Sequence, residues 1–196
     1  MAKGKRMGGK EDMRQRRSRQ HLTDALMGLM EERPYGEISV VDICQRAMVH
    51  RTTFYAHFED KNDLFEYMLQ NMMDRFSENR SKAEQEKGLR RAIRDEFRKV
   101  LEFFRVHRRL RMVGMGGPGS PELQMMEEAI AAVLEKFILE KGDPAIWAEN
   151  AKGPQVWSHF YAGAIMSTVS WWLENEMPLS EEEMVDLLER LLPECW

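Results

Sequence analysis

Between Ile38 and Phe65 the chain sets two short helical patterns so close together that neither can bury an apolar face alone. The first opens at Ser39 with Asp42 three residues on, the form of a capping box, and continues through Val41, Ile43, Cys44 and Ala47 at roughly helical spacing. A tight connection at Met48–His50 leads into a second pattern over Arg51–His57, with Phe54 and Phe58 four apart on one face. Two aromatic rings on so short a helix need a partner to cover them. Upstream, an amphipathic helix is expected from near Met13 to Glu32, with Leu22, Ala25, Leu26, Leu29 and Met30 on one side. Pro34, Tyr35 and Gly36 break the chain between them. Ile43, Val49, Phe54 and Phe58 are the expected core of this segment.

The outer side of the second pattern carries Arg51, Thr52, Thr53, Tyr55 and His57, all hydrogen-bond donors. A helix with aromatic rings beneath and a row of donors outside suits a DNA groove, which presents phosphate and base-edge acceptors. The Ser39 cap, Ile43 with Ala47, Val49 in the turn and the run Thr53-Phe54-Tyr55-Ala56-His57-Phe58, followed by Lys61 and Leu64, occur in order. On these residues the segment resembles the helix-turn-helix of the TetR/AcrR family of transcriptional regulators. The resemblance implies an all-α chain: an N-terminal three-helix DNA-binding domain and a C-terminal helical bundle for ligand binding and dimerisation. It implies a homodimer, more often a repressor, on a palindromic operator in double-stranded DNA. By position in the motif, Arg51 is a candidate for guanine N7/O6, and Thr52 for a base edge or a thymine methyl. Ser39, Thr53, Tyr55, His57 and Lys61 are candidates for phosphate oxygens. Two residues depart from the family pattern. Met48 stands where a turn glycine is usual, and predicts a locally adjusted turn, because positive φ disfavours side chains. His50 stands where Ser is common and predicts a weaker cap.

Charge divides the chain in the same place. Residues 1–61 hold twelve Lys/Arg against nine Asp/Glu, and the remainder seventeen against twenty-four, within a net charge of −4. The DNA-facing end is therefore expected at the N-terminus, with residues 1–12 as a basic arm that is either a disordered solubilising tail or a source of phosphate contacts. Residues 13–76 form the expected DNA-binding domain, including the start of a linking helix from Asp60. Residues 77–196 form the expected regulatory and dimerisation domain, after a polar loop at Ser77–Lys87. Two cysteines, Cys44 and Cys195, suit reduced thiols in a cytoplasmic protein, and no apolar signal segment follows the basic start.

The body reads as a further set of helices. One carries Leu89, Ile93, Phe97, Val100, Leu101 and Phe104; others cover Glu122–Leu139, a short stretch at Ile146–Trp147, Gly153–Leu173 and a last segment capped by Ser180 with Glu183. Gly153–Leu173 has no charged residue, but its scattered Gln, Ser, His and Thr make a membrane span a poor reading. A helix buried nearly all round, shared between core and a second subunit, is the better one. Phe160, Ala164, Ser167, Trp171, Met184, Leu188 and Leu191 are the expected dimer interface. Phe97, Leu101, Phe104, Met126, Trp147, Trp157 and Tyr161 are candidates to line a pocket for a small apolar or aromatic effector. The glycine-rich Met112–Pro121 is expected as a flexible connection, with a gate over a pocket as the alternative.

Enzyme chemistry is not expected. His21, His50, His57, His107 and His159 have no metal-ligand spacing, no Ser or Cys has a recognisable catalytic partner, and no cofactor motif occurs. His159 reads as a core histidine, and Arg105–Arg111 as a solvated helix end. The rival to a DNA-binding regulator is a dimeric helical adaptor whose head binds a protein without a small effector.

Overall fold

The computed structural model describes residues 13–78, 89–117, 119–141, 143, 145, 150 and 152–192, and among these it is helical with no strand. The helices are α1 (Met13–Met30), α2 (Val40–Ala47), α3 (Arg51–Tyr55), α4 (Lys61–Glu78), α5 (Leu89–Val106), α6 (Pro121–Lys141), α7 (Gly153–Glu174) and α8 (Glu181–Arg190). A 3-10 turn occupies Tyr35–Glu37, and a π turn occupies Leu110–Gly114. The basic arm, Trp147, Cys195 and nearly all of the expected loop before α5 lie outside the described residues; Ser77 itself is in α4.

The head is α1 to α3 with the start of α4. Leu22, Leu26, Met30, Ile43, Phe54, Leu64 and Phe65 are sealed from solvent in its centre, and Cys44, Ala47 and Phe58 complete it, with Val49 half-buried against them. Full burial of each large apolar side chain contributes about 1.5–3 kcal/mol. That packing is what holds α3, since a helix of this length is not stable by itself.

α4 leaves the head and packs on both α1 and α6, so it belongs to both halves. In the body, α6 and α7 make the largest helix–helix contact, while α8 lies along α5. An arginine fork fixes that last pair. Arg94 meets Asp186 at 2.5 Å, Glu182 at 2.8 Å and also Glu189, while Arg98 meets Glu182 at 3.0 Å. These bonds hold the Arg94 guanidinium proton more tightly than usual and depress the Glu182 carboxyl. No described helix is long and apolar enough to cross a membrane.

Two expectations about the body need correction. His159 is exposed, not a core histidine, because it falls on the outer side of α7. The Arg105–Arg111 run is not a solvated end. His107 Nδ1 lies 2.7 Å from Glu31 Oε1, Arg109 Nε donates to the Glu31 carbonyl at 2.8 Å, and Arg111 is buried. The run clamps the body to the end of α1. Gly114 makes the approach possible, since a Cβ there would lie 2.5 Å from the Met30 carbonyl oxygen.

Candidate nucleic-acid interface and body cavity

The polar order of the head begins at Ser39. Its hydroxyl accepts from the Asp42 amide at 3.2 Å and donates to Asp42 Oδ2 at 2.6 Å, while its own amide donates to the same carboxylate at 2.9 Å. Arg33 adds an ion pair to Asp42 at 3.0 Å. Led by the Ser39 bonds, these contacts hold the Asp42 carboxyl at about 2. Ser39 is thus an exposed cap whose hydroxyl hydrogen is already engaged.

At the turn, Met48 is itself in the left-handed region, with φ 54° and ψ 42°, and is 92% exposed. The expected adjustment of the turn does not occur. The backbone keeps the conformation glycine would favour, and the Met side chain projects into solvent. Its amide still closes α2 on the Gln45 carbonyl. His50 precedes α3 without a side-chain capping bond, as expected from the weak capping chemistry of imidazole.

α3 divides its residues sharply. Phe54 is fully buried, while Arg51, Thr52 and Tyr55 are exposed. The Arg51 guanidinium lies 5.9 Å from the centre of the Tyr55 ring, so the two side chains share one side. Thr53 and His57 are half-buried at its margin. Lys61 is a correction. Its ammonium is half-buried, donates to the carbonyls of Tyr35 at 2.6 Å and Ile38 at 2.8 Å, and lies 4.0 Å from the Tyr35 ring centre. Burial lowers its proton affinity, with Glu122 and Asp60 opposing. Beside it the buried Tyr35 hydroxyl donates to Asn62 Oδ1 at 2.7 Å, and burial pushes its ionisation up. Lys61 therefore ties the entry of α4 to the chain before α2. It is not presented to a phosphate.

The body places the expected pocket residues elsewhere. Phe97, Leu101, Phe104 and Met126 are buried core. Trp157 stacks on Tyr161 at 5.7 Å, and the Tyr161 hydroxyl donates to the Leu191 carbonyl at 3.0 Å. None of them borders the cavity of about 630 Å³ that opens between the π turn, α6 and α7. Its wall carries Arg111, Glu127, Glu174 and Trp171, closed on one side by Gly116, Gly117 and Gly119. This cavity differs from the expected apolar pocket in carrying charge of both signs, because packing brings Arg111, Glu127 and Glu174 to its wall. The glycine-rich segment, by contrast, does border a cavity. Arg111 gave no signal in the sequence, since an arginine in a basic run looks solvated until its helix is packed.

The expected dimer residues also divide. Met184 and Leu188 are buried against their own chain and cannot meet a partner. Phe160 at 67%, Trp171 at 49% and Leu191 at 70% are exposed, as are Ala164 and Ser167. Val156 and Leu187, which are not among the expected interface residues, are exposed with them.

Residues 22–68 match the family model described as bacterial regulatory proteins, tetR family, and residues 91–194 match one described as transcriptional regulator C-terminal region. No curated protein matches the chain in sequence. Among solved structures, the fold is similar to the fatty acid degradation regulator FadR from Bacillus halodurans, at 16% identity and TM-score 0.66, covering 88% of this chain and 96% of that one. It is similar to FadR from Bacillus subtilis in complex with stearoyl-CoA, at 18% identity and TM-score 0.65, covering 90% and 98%. It is also similar to NalD, the secondary repressor of the MexAB-OprM multidrug efflux pump in Pseudomonas aeruginosa, at 16% identity and TM-score 0.54, covering 90% and 94%.

Proposed function

The chain belongs to the tetR family of bacterial regulatory proteins, DNA-binding transcription regulators of helix-turn-helix type, and on that premise we propose that it is a homodimeric, ligand-responsive repressor of a palindromic operator. The observation that carries the reading is the division of α3. Phe54 anchors the helix from beneath, leaving Arg51, Thr52 and Tyr55 outside with their donors available. Arg51 and Thr52 read base edges; Thr53, Tyr55 and His57 fix register on phosphates. Ser39 and Lys61 support the frame that aims them.

Dimerisation rests on the outer side of α7 and α8. Val156, Phe160, Ala164, Ser167 and Trp171 recur at intervals of three and four residues, so they form one stripe. Leu187 and Leu191 continue it on α8, joined to α7 by the Tyr161–Leu191 hydrogen bond. A monomer gains nothing from exposing such a stripe, whereas a two-fold copy buries it against itself.

Response to a ligand needs a path to the heads. The Leu110–Gly114 turn is both a wall of the cavity and the piece seated on α1 at Met30, so a ligand that prefers one position of the turn biases the head. α4 offers a second route through its packing on α1 and α6.

Selection of genomic fragments by the purified protein, followed by a salt titration on the recovered site, tests the reading. Binding should fall log-linearly with salt, with a slope of about −0.9 per phosphate contacted. A flat salt response, or recovery of no common palindrome, would refute it and favour the adaptor.

A further inference from the structure

The cavity beside Arg111 carries charge of both signs, and its arrangement narrows the class of effector. Arg111 is 6% exposed. Its Nε donates to Ser170 Oγ at 2.9 Å, and Nη1 donates to the Gly116 carbonyl at 3.2 Å. Ser170 in turn donates its hydroxyl to the Met166 carbonyl at 2.6 Å, so it can only accept from the arginine. The guanidinium is thereby held rigidly against the cavity. Among the described residues no carboxylate lies within ion-pair distance of it. Glu127 and Glu174 border the same space and act on Arg111 from beyond contact range. A buried cation without a counter-ion is costly, whereas Glu127, half-buried, and Glu174, exposed, form a negative rim to the same space.

We propose, on the reading of this protein as a ligand-responsive regulator, that the cavity binds a compact zwitterion of the amino-acid type. Its carboxylate sits on Arg111, its ammonium faces Glu127 and Glu174, and its apolar body lies against Trp171, Met112 and Met166. The volume of about 630 Å³ lies within the range of small-molecule sites, roughly 300–1,000 Å³. A polyanion is repelled by the two glutamates. A simple organic cation is repelled by Arg111, and a simple carboxylate meets the negative rim of Glu127 and Glu174 with no ammonium to offset it. Burial lowers the proton affinity of Arg111, with Glu174 and then Glu127 opposing, which agrees with an anion being welcome there.

Three probes that share one aromatic body separate these cases: L-phenylalanine, 3-phenylpropionate, which lacks the amine, and 2-phenylethylamine, which lacks the carboxylate. Calorimetric titration into the full-length protein should show L-phenylalanine binding at least about tenfold more tightly than either, since each missing charge leaves a site group unpaired. Glu127→Gln with Glu174→Gln should erase its advantage over 3-phenylpropionate. Arg111→Gln should erase its advantage over 2-phenylethylamine. The glutamates are not sealed in the core, so their double variant decides the matter even if Arg111→Gln fails to fold. Tighter or equal binding of a singly charged probe overturns the proposal, as does an unchanged ranking in the double variant. Absence of binding by all three probes at millimolar concentration, as when a second copy fills the cavity from the Ser167–Trp171 side, also overturns it. Operator binding by fluorescence anisotropy on the same preparations keeps the two readings apart. Intact DNA binding without probe binding removes only the zwitterion, and probe binding without DNA binding removes only the DNA reading.

Discussion

The outward faces of α3 and α7 are built on opposite principles. α3 is five residues long, presents Arg51, Thr52 and Tyr55, and depends on one buried ring, Phe54, for its position. α7 is twenty-two residues long, presents Val156, Phe160 and Trp171, and is packed along its length on α6. A surface of donors suits a polyanion, where affinity comes from phosphates and specificity from base edges. A surface of large apolar groups suits another protein surface that excludes water. The contrast underlies the different partners proposed for the two faces, and it can be broken at either end.

The largest effect is expected on α7 and α8. Phe160→Glu with Leu191→Glu should convert the proposed dimer to monomer in sedimentation, and weaken operator binding by on the order of 10²–10⁴-fold, because the two heads lose their linkage. A variant that stays dimeric would move the interface elsewhere. Next comes Arg51→Ala, which should cost ~1–3 kcal/mol on the operator and relax preference at one base pair while leaving the dimer intact. Unchanged ranking across operator variants would show that Arg51 contacts only backbone.

Smaller effects sharpen the account of the head. Met48→Gly should raise stability by up to about 1 kcal/mol, since a side chain in the left-handed region costs ~1–2 kcal/mol and glycine gives back part of that in chain entropy. Denaturant unfolding of the two proteins measures it; a loss of stability would show that the exposed Met side chain has a packing role. The last test is of pH. Asp42 titrates at about 2 in the fold against an ordinary 3.8, so its stabilising contribution is fully present above about pH 4 and fades as pH falls towards 2. The stability gap between the wild type and Asp42→Asn should therefore be constant near neutrality and close in acid. A gap that persists below pH 2 would sink the capping account.

The head was legible because its constraints are local. Ser39 with Asp42 announces a cap within four residues, and Phe54 with Phe58 announces a buried side within five. The capping box at Ser180 with Glu183 was legible for the same reason, and the structure forms it. The roles of Lys61 and Arg111 were not legible. Each is a cation in a polar sequence neighbourhood, and each is engaged by carbonyl or hydroxyl oxygens that packing brings from elsewhere: Tyr35 and Ile38 for one, Ser170 for the other. The α7 and α8 residues failed in part because a helix with apolar groups on more than one side does not say which side faces its own chain. Met184 and Leu188 went inward; Leu187 and Leu191 remained outside.

By itself, then, the sequence determined the all-α class, the helix-turn-helix, the donor row on α3 and the aromatic anchors below it, since all of these follow from spacing and capping along a few turns of chain. Tertiary structure alone decided that Met48 takes a left-handed turn, that Lys61 serves the frame, that one apolar stripe of α7 stays exposed, and that Arg111, Glu127 and Glu174 line one cavity. Those outcomes depend on which distant backbone atoms arrive beside a side chain. Burial and charge pairing are properties of the packed fold, and no local pattern encodes them.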